Sequence, residues 1–159
     1  MSAKTARVVA AFGMLAIGAM LARAQAPGKI YAQKLVDDVV ASHPDVLVFA
    51  MHVTAPGAAD NTIIAANVPA IIGKKSDADD LKAVASAQPV SEVAKDKARF
   101  EVLMQLKDRQ GKTIGALATV FAYRPGDDQA RLVRRAVLLR NQLRKSIPSL
   151  ASLFKVSNE

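Results

Sequence analysis

The residues best equipped for chemistry are few and scattered. Gly73-Lys74-Lys75-Ser76 has the end of a phosphate-binding loop, but Val68 stands where the motif needs its first glycine, so phosphate cradling is not expected. Asp77, Asp79 and Asp80 have the spacing that opens a calcium loop, without its glycine or its closing glutamate, and read as the solvated start of a helix. The two histidines, His43 and His52, are too few and too far apart for a zinc site. His43 precedes a proline and reads as a helix-end residue. His52 falls in an apolar run, where three roles are open: a satisfied core group, a pocket donor or a haem ligand. No G-x-S-x-G nucleophile elbow occurs, and no acid, base and nucleophile set assembles, so an enzyme is not expected. No resident cofactor or metal is expected either.

Two groups of residues remain. Arg99, Glu101, Thr119 and Tyr123 lie on two apolar runs that fold back on each other among Leu103, Leu117 and Phe121, so a few polar groups would converge in an apolar hollow. An ordinary solvent-facing sheet with cross-strand pairs is the competing reading. Arg131, Arg134, Arg135, Arg140, Arg144 and Lys145 give the last helix a basic surface, suited to an anionic partner or simply to water. Nucleic acid is not expected, because no recognition module accompanies that charge.

The element that must position the first group runs from Ala98 to Tyr123. Two apolar segments flank a polar turn, the sequence form of a long β-hairpin, with Gly111 supplying a positive φ in the loop Arg109-Gln110-Gly111. That loop sets Phe100, Val102, Met104 and Leu106 opposite Val120, Ala118, Ala116 and Ile114 on a wholly apolar face. Arg99, Glu101, Leu103, Gln105 and Lys107 then face Phe121, Thr119, Leu117, Gly115 and Thr113 on a mixed one. A loop of different length would shift the pairing by one residue.

Before the hairpin, Ile30, Leu35, Val36, Val39 and Val40 mark an amphipathic helix ended by His43-Pro44. Val46 to Thr54 and Thr62 to Val68 read as adjacent antiparallel strands. Ser76 and Asp79 approximate a capping box for a short helix from Asp79 to Ala87, and Val90 to Val93 is a brief strand. After the hairpin, Asp127 and Asp128 sit at the positive end of a helix that Pro148 closes, and Leu150, Leu153 and Phe154 fold back as an apolar clasp. The fold class is α+β, an antiparallel sheet of four to five strands flanked by N- and C-terminal helices.

The 159 residues carry Lys plus Arg 22 against Asp plus Glu 14, net +8, and no cysteine. Residues 1–24 have the three parts of a signal peptide: basic Lys4 and Arg7, an apolar run from Val8 to Ala22, and the small-residue site Ala22-Arg23-Ala24. The run is shorter than the roughly 20 residues that span a bilayer, so cleavage after Ala24 is expected, with a retained anchor as the alternative. Residues 25–159 are the size of one domain, and without disulfides its stability must come from its core. A periplasmic or secreted location follows.

The segments IIGKKSDADDLKAV, Ile71 to Val84, and RFEVLMQLKDRQGKTIGALATVFAY, Arg99 to Tyr123, resemble the single Cache type of PAS-like extracytoplasmic sensing domain. The resemblance implies that the long helices cover one side of the sheet while the other cups a small carboxylate or amine. It implies further that Arg99 suits an anionic group and Glu101 a cationic one, with Thr119 and Tyr123 as hydrogen-bonding neighbours; His52, read from its strand as a pocket donor, completes the expected ligand-binding set. Such domains commonly lie between membrane helices and drive a cytoplasmic output. A free-standing one would report to a separate membrane receptor and could pair with itself through its helices. The alternative function is an envelope protein-interaction module working through Arg131, Arg134 and Arg135.

Overall fold

The computed structural model describes residues 29–94, 96 and 98–157. The expected signal peptide, residues 1–24, lies outside them. Helix α1 (Tyr31–Ser42) is followed by strands β1 (Val46–Thr54) and β2 (Asn61–Ala66), helix α2 (Ala78–Ala85), strands β3 (Val90–Val93), β4 (Arg99–Lys107) and β5 (Thr113–Ala122), and helix α3 (Gln129–Leu143). A 3₁₀ segment, Leu150–Phe154, forms the expected clasp, and its Leu153 is fully buried. The five strands make one antiparallel sheet in the order β2-β1-β5-β4-β3. This is the expected α+β, PAS-like architecture. Among the described residues no helix is long and apolar enough to cross a membrane.

The sheet has two unequal faces. α1, α3 and the clasp cover the first, which buries Phe49, Met51, Val53, Phe100, Val102, Met104, Leu106, Leu117 and Phe121 against Leu35, Val36, Leu139 and Leu153. α2 covers the second, a surface of small side chains in which Ala50, Ala66, Ala116 and Ala118 meet Ala83. Alanines on both partners let the helix lie close to the strands.

The hairpin turn forms as expected, but its register does not persist along the strands. Gly111 has φ +87°, and the loop Arg109-Gln110-Gly111 is closed by the Asp108 amide donating to the Lys112 carbonyl at 3.0 Å. The Asp108 carboxylate accepts from the amides of Gln110 and Lys112. Lys107 therefore pairs with Thr113 as the three-residue loop requires, yet Leu106 pairs with Gly115, leaving Ile114 as an extra residue. Beyond this β-bulge every partner is displaced by one: Phe100 faces Phe121, Val102 faces Thr119 and Met104 faces Leu117. The physical reason is volume. The unbulged pairing would send Ala116, Ala118 and Val120 to the main core, whereas the bulge sends Leu117 and Phe121 there and gives the alanines to α2.

The bulge also sets Gly115 tight against β1. A Cβ at this position would collide with the backbone carbonyl of His52 and with the Val53 side chain, so only glycine fits. The capping box of α2 lies one residue later than expected. Asp77 is the N-cap, accepting from the amides of Asp79 and Asp80, and the Asp80 carboxylate accepts from the Asp77 amide. Gly73-Lys74-Lys75-Ser76 runs along the β2 edge: Ile63 donates to Lys74, Gly73 to Ile63 and Ser76 to Asn61. These residues cover a sheet edge; their backbone amides and carbonyls serve that pairing.

Candidate functional site

The bulge divides the residues expected to converge. Thr119 moves to the main-core face, where it is fully buried and its hydroxyl has no partner. Tyr123 follows it, its ring stacked on Phe100 at 5.8 Å and its hydroxyl accepting from Gln129. Arg99 and Glu101 stay on the α2 face, but the Arg99 guanidinium is taken by Asp96, with bonds of 2.7 and 3.0 Å. Only Glu101 and His52 of the expected set lie beneath or beside α2, so the five do not form one pocket.

His52 is buried beneath the N-terminus of α2, 5% exposed. Its Nδ1 is 2.9 Å from the Ser76 hydroxyl and 3.1 Å from a carboxylate oxygen of Asp80. Ser76 donates its single proton to Asn61 Oδ1 at 2.6 Å, so it accepts from His52, and Nδ1 carries a proton. Hydroxyl and carboxylate share one ring nitrogen. A nucleophile relay needs them on opposite nitrogens, so the trio fastens α2 to β1 and does not form such a relay. Of the three roles open to His52, the geometry is that of a satisfied core group. Burial alone would raise the Asp80 carboxyl, but the hydrogen bond from His52 and attraction to it overcome burial and hold it below its usual value.

Beside this junction lies a small hollow of about 90 Å³, walled by Asp77, Asp79, Asp80, Glu92, Glu101 and Leu103 together with Val90 and Ser91. Glu101 is its central group. Burial pushes its carboxyl above the ordinary value, and Glu92, Asp80 and Asp77 push it in the same direction. Glu92 is its direct cross-strand neighbour, a like-charge pairing that sheets ordinarily avoid. Among the described residues no lysine or arginine forms an ion pair with either glutamate. The site has the electrostatics of a cation receptor and is too small to enclose a whole metabolite.

The larger hollows are elsewhere. One of about 460 Å³ lies between α1 and the segment after β2, lined by Lys29, Gln33, Asp37, Val40, Asn67 and Ile72 among others. Its polar groups are engaged with one another: Lys29 binds Asp37, while Gln33 binds both Asp37 and the Ala66 backbone. The Glu101 hollow is far smaller, but it holds two glutamates that, among the described residues, pair with no lysine or arginine.

Two of the three arginines of α3 expected to form a partner surface are paired with carboxylates. Arg135 binds Asp45 at 3.2 Å and donates to His43 Nδ1 at 3.0 Å, and Arg134 lies 3.5 Å from Asp128. The hydrogen bond from Arg135 holds the Asp45 carboxyl below its usual value. Arg131 is exposed and lines a hollow with Asp45 and Phe121. His43 is thus a helix-end residue tied to α3.

The sequence missed Asp80, Ser76 and Asn61 as partners of His52, and Glu92 as the neighbour of Glu101. The signal for Asp80 was present, since three acids within four positions before an apolar residue mark a capped helix start. No local pattern announces that its cap reaches a histidine on β1.

No protein-family model matches the chain, and no curated protein matches it. Among solved structures it is similar to the repressor BlcR of Agobacterium tumefaciens, with a TM-score of 0.50 and 13% identity over 74% of this chain and 67% of that one. It also aligns with a double mutant of the inducer-binding domain of the PobR transcription factor from Acinetobacter, complexed with 3-hydroxybenzoic acid. That match has a TM-score of 0.42 and 11% identity, over 75% of this chain and 96% of that one. At such identities the likeness to BlcR shows a shared fold and nothing about ligand or role.

Proposed function

We propose that this is an exported, Cache-type sensing domain that binds a small cationic metabolite of the amine class at the Glu101 hollow and does not transform it. One observation carries the reading: Glu101 is half-buried, opposed by Glu92 across the strands, and has no cationic partner among the described residues. An ammonium or guanidinium group supplies the missing charge, and its hydrogen bonds to two carboxylates are of the strong, charge-assisted kind. The carboxylate ligands also implied by the family resemblance are disfavoured, because Arg99 is committed to Asp96 and every other ionised group at the hollow is acidic.

The tripartite sequence of residues 1–24 supports export to the periplasm or beyond. Signalling would pass through α2, whose N-terminal carboxylates wall the hollow and whose Asp80 is bonded to β1 through His52. A separate membrane receptor reading the position of α2 would complete the path.

A thermal-shift screen of the protein against putrescine, agmatine, lysine and arginine amides, and a matched set of organic acids tests this. Binding to the native state raises the melting temperature by mass action. The reading predicts a dose-dependent rise with amines only, and loss of that rise in Glu101→Gln. Stabilisation by the acids alone, or by amines in both proteins equally, would refute it.

A further inference from the structure

The two edges of the sheet are treated differently. The β2 edge is closed by Gly73 to Ser76 and by the Gln33 amide, which bonds both the N–H and the C=O of Ala66. Among the described residues no segment pairs with the outer edge of β3. The Ala94 amide donates to Arg99, which sets the phase of the ladder: Val90, Glu92 and Ala94 turn their backbone groups toward β4, while Ser91 and Val93 turn theirs outward. No described backbone bond uses those outward groups.

The same edge forms one rim of the Glu101 hollow. Glu92 and Val90 project from it onto the α2 face, and the exposed side chain of Val90 lines the hollow. At about 90 Å³ the hollow has room for a cationic head group but not for the molecule that bears it, which must lie along this rim.

We infer that β3 is a docking edge for an extended basic peptide, which adds as a sixth strand and places a lysine or arginine side chain between Glu92 and Glu101. This rests on the cation-binding reading of the hollow and specifies what carries the cation. Strand addition draws affinity from main-chain bonds, here to Ser91 and Val93, and specificity from alternate side chains. A peptide residue facing Glu92 puts its side chain on the α2 face, where an opposite charge relieves the Glu92–Glu101 repulsion. A second copy of this chain fits less well, because antiparallel pairing of β3 with β3 would bring two Glu92 carboxylates together.

The test is an amide NMR titration of the full protein with acetyl-Val-Thr-Lys-Thr-Val-amide, its norleucine analogue, an alternately N-methylated analogue, and cadaverine. The proposal predicts shifts of the Ser91 and Val93 amides with the parent peptide, and at least tenfold weaker binding for both analogues. Ser91→Pro, which removes an outward donor and leaves the bonds to β4, should lose the peptide and keep cadaverine. If cadaverine binds as tightly as the peptide while the Ser91 and Val93 amides stay still, the docking edge is refuted and the amine site stands. If neither probe moves the Glu101 signals, both readings fall. If Ser91 and Val93 are protected in the free protein in a concentration-dependent way, the edge belongs to a second copy and the peptide proposal is overturned.

Discussion

Thr119 shows how far one displaced residue can travel in meaning. On the mixed face its hydroxyl would be a hydrogen-bonding group for a ligand; on the core face it is a buried, unpartnered polar atom among Phe49, Val102 and Leu117. Replacing such a hydroxyl with a methyl of the same shape removes a desolvation cost, so Thr119→Val should stabilise the protein by about 1 kcal/mol. Urea unfolding checks this, and a clear loss of stability would mean that the hydroxyl has a partner. Gly115 makes the opposite prediction. Any Cβ there strikes the His52 carbonyl, so Gly115→Ala should cost at least about 2 kcal/mol, beyond the usual effect of a surface change. The residue types at these positions were legible in the sequence, but their faces were not, because a single bulge at Ile114 exchanges the two faces of every residue that follows.

Glu101 also sets a pH dependence. Its carboxyl is raised above the ordinary 4.5, so the native state holds a proton that the unfolded chain has released. Stability therefore falls as pH rises from about 4.5 through the native value, and the deficit persists above it. Glu101→Gln should flatten that fall and raise the melting temperature at neutral pH. Asp45 and Asp80 act in the other direction. Both lie below the ordinary 3.8, and the stability they contribute is lost as pH drops from that value through their native ones. Melting temperature measured from pH 3 to pH 8 in both proteins separates the two effects.

At the scale of elements, α2 is the part whose attachment differs most from the rest. α1 and α3 cover the face with the buried aromatic side chains and most of the large aliphatic ones, whereas α2 packs on a cluster dominated by alanines with Ile63 and Leu103 and is fastened at its start by Asp77, Asp80 and His52. Asp77→Ala removes the N-cap and should cost about 1 kcal/mol. The loss should appear as faster amide exchange across α2 with β1, β4 and β5 unchanged, since local opening need not unfold the main core. Uniform loss of protection across the sheet would show instead that α2 is integral to the core. Elements themselves were the most legible feature of the sequence. β1 and β3 have the expected bounds, and the Gly111 turn forms as the pattern requires. Long-range pairing was less legible: nothing local in Gly73-Lys74-Lys75-Ser76 reports that it will cover the β2 edge.

For the whole molecule, the two faces of the sheet differ in chemistry. The face under α1 and α3 supplies apolar burial, and the α2 face collects carboxylates at one end, where Asp79 pairs with Lys82 and, among the described residues, Glu92 and Glu101 pair with no lysine or arginine. Several of the chain's cations are paired elsewhere, with Asp37, Asp38, Asp45 and Asp128. A net charge of +8 thus conceals an acidic site, which composition alone could not disclose. Arg135→Ala, by contrast, breaks a partly exposed ion pair and one hydrogen bond to His43, and should cost about 1 kcal/mol.

The most direct measurement is the titration of the Glu101 side-chain carboxyl by carbon-13 NMR, in the free protein and with saturating agmatine. A cation seated between Glu92 and Glu101 favours the ionised form. The carboxyl should titrate above its ordinary range in the free protein and fall to or below that range when agmatine is bound. An unchanged titration curve at saturating agmatine would contradict the assignment of this hollow as a cation site.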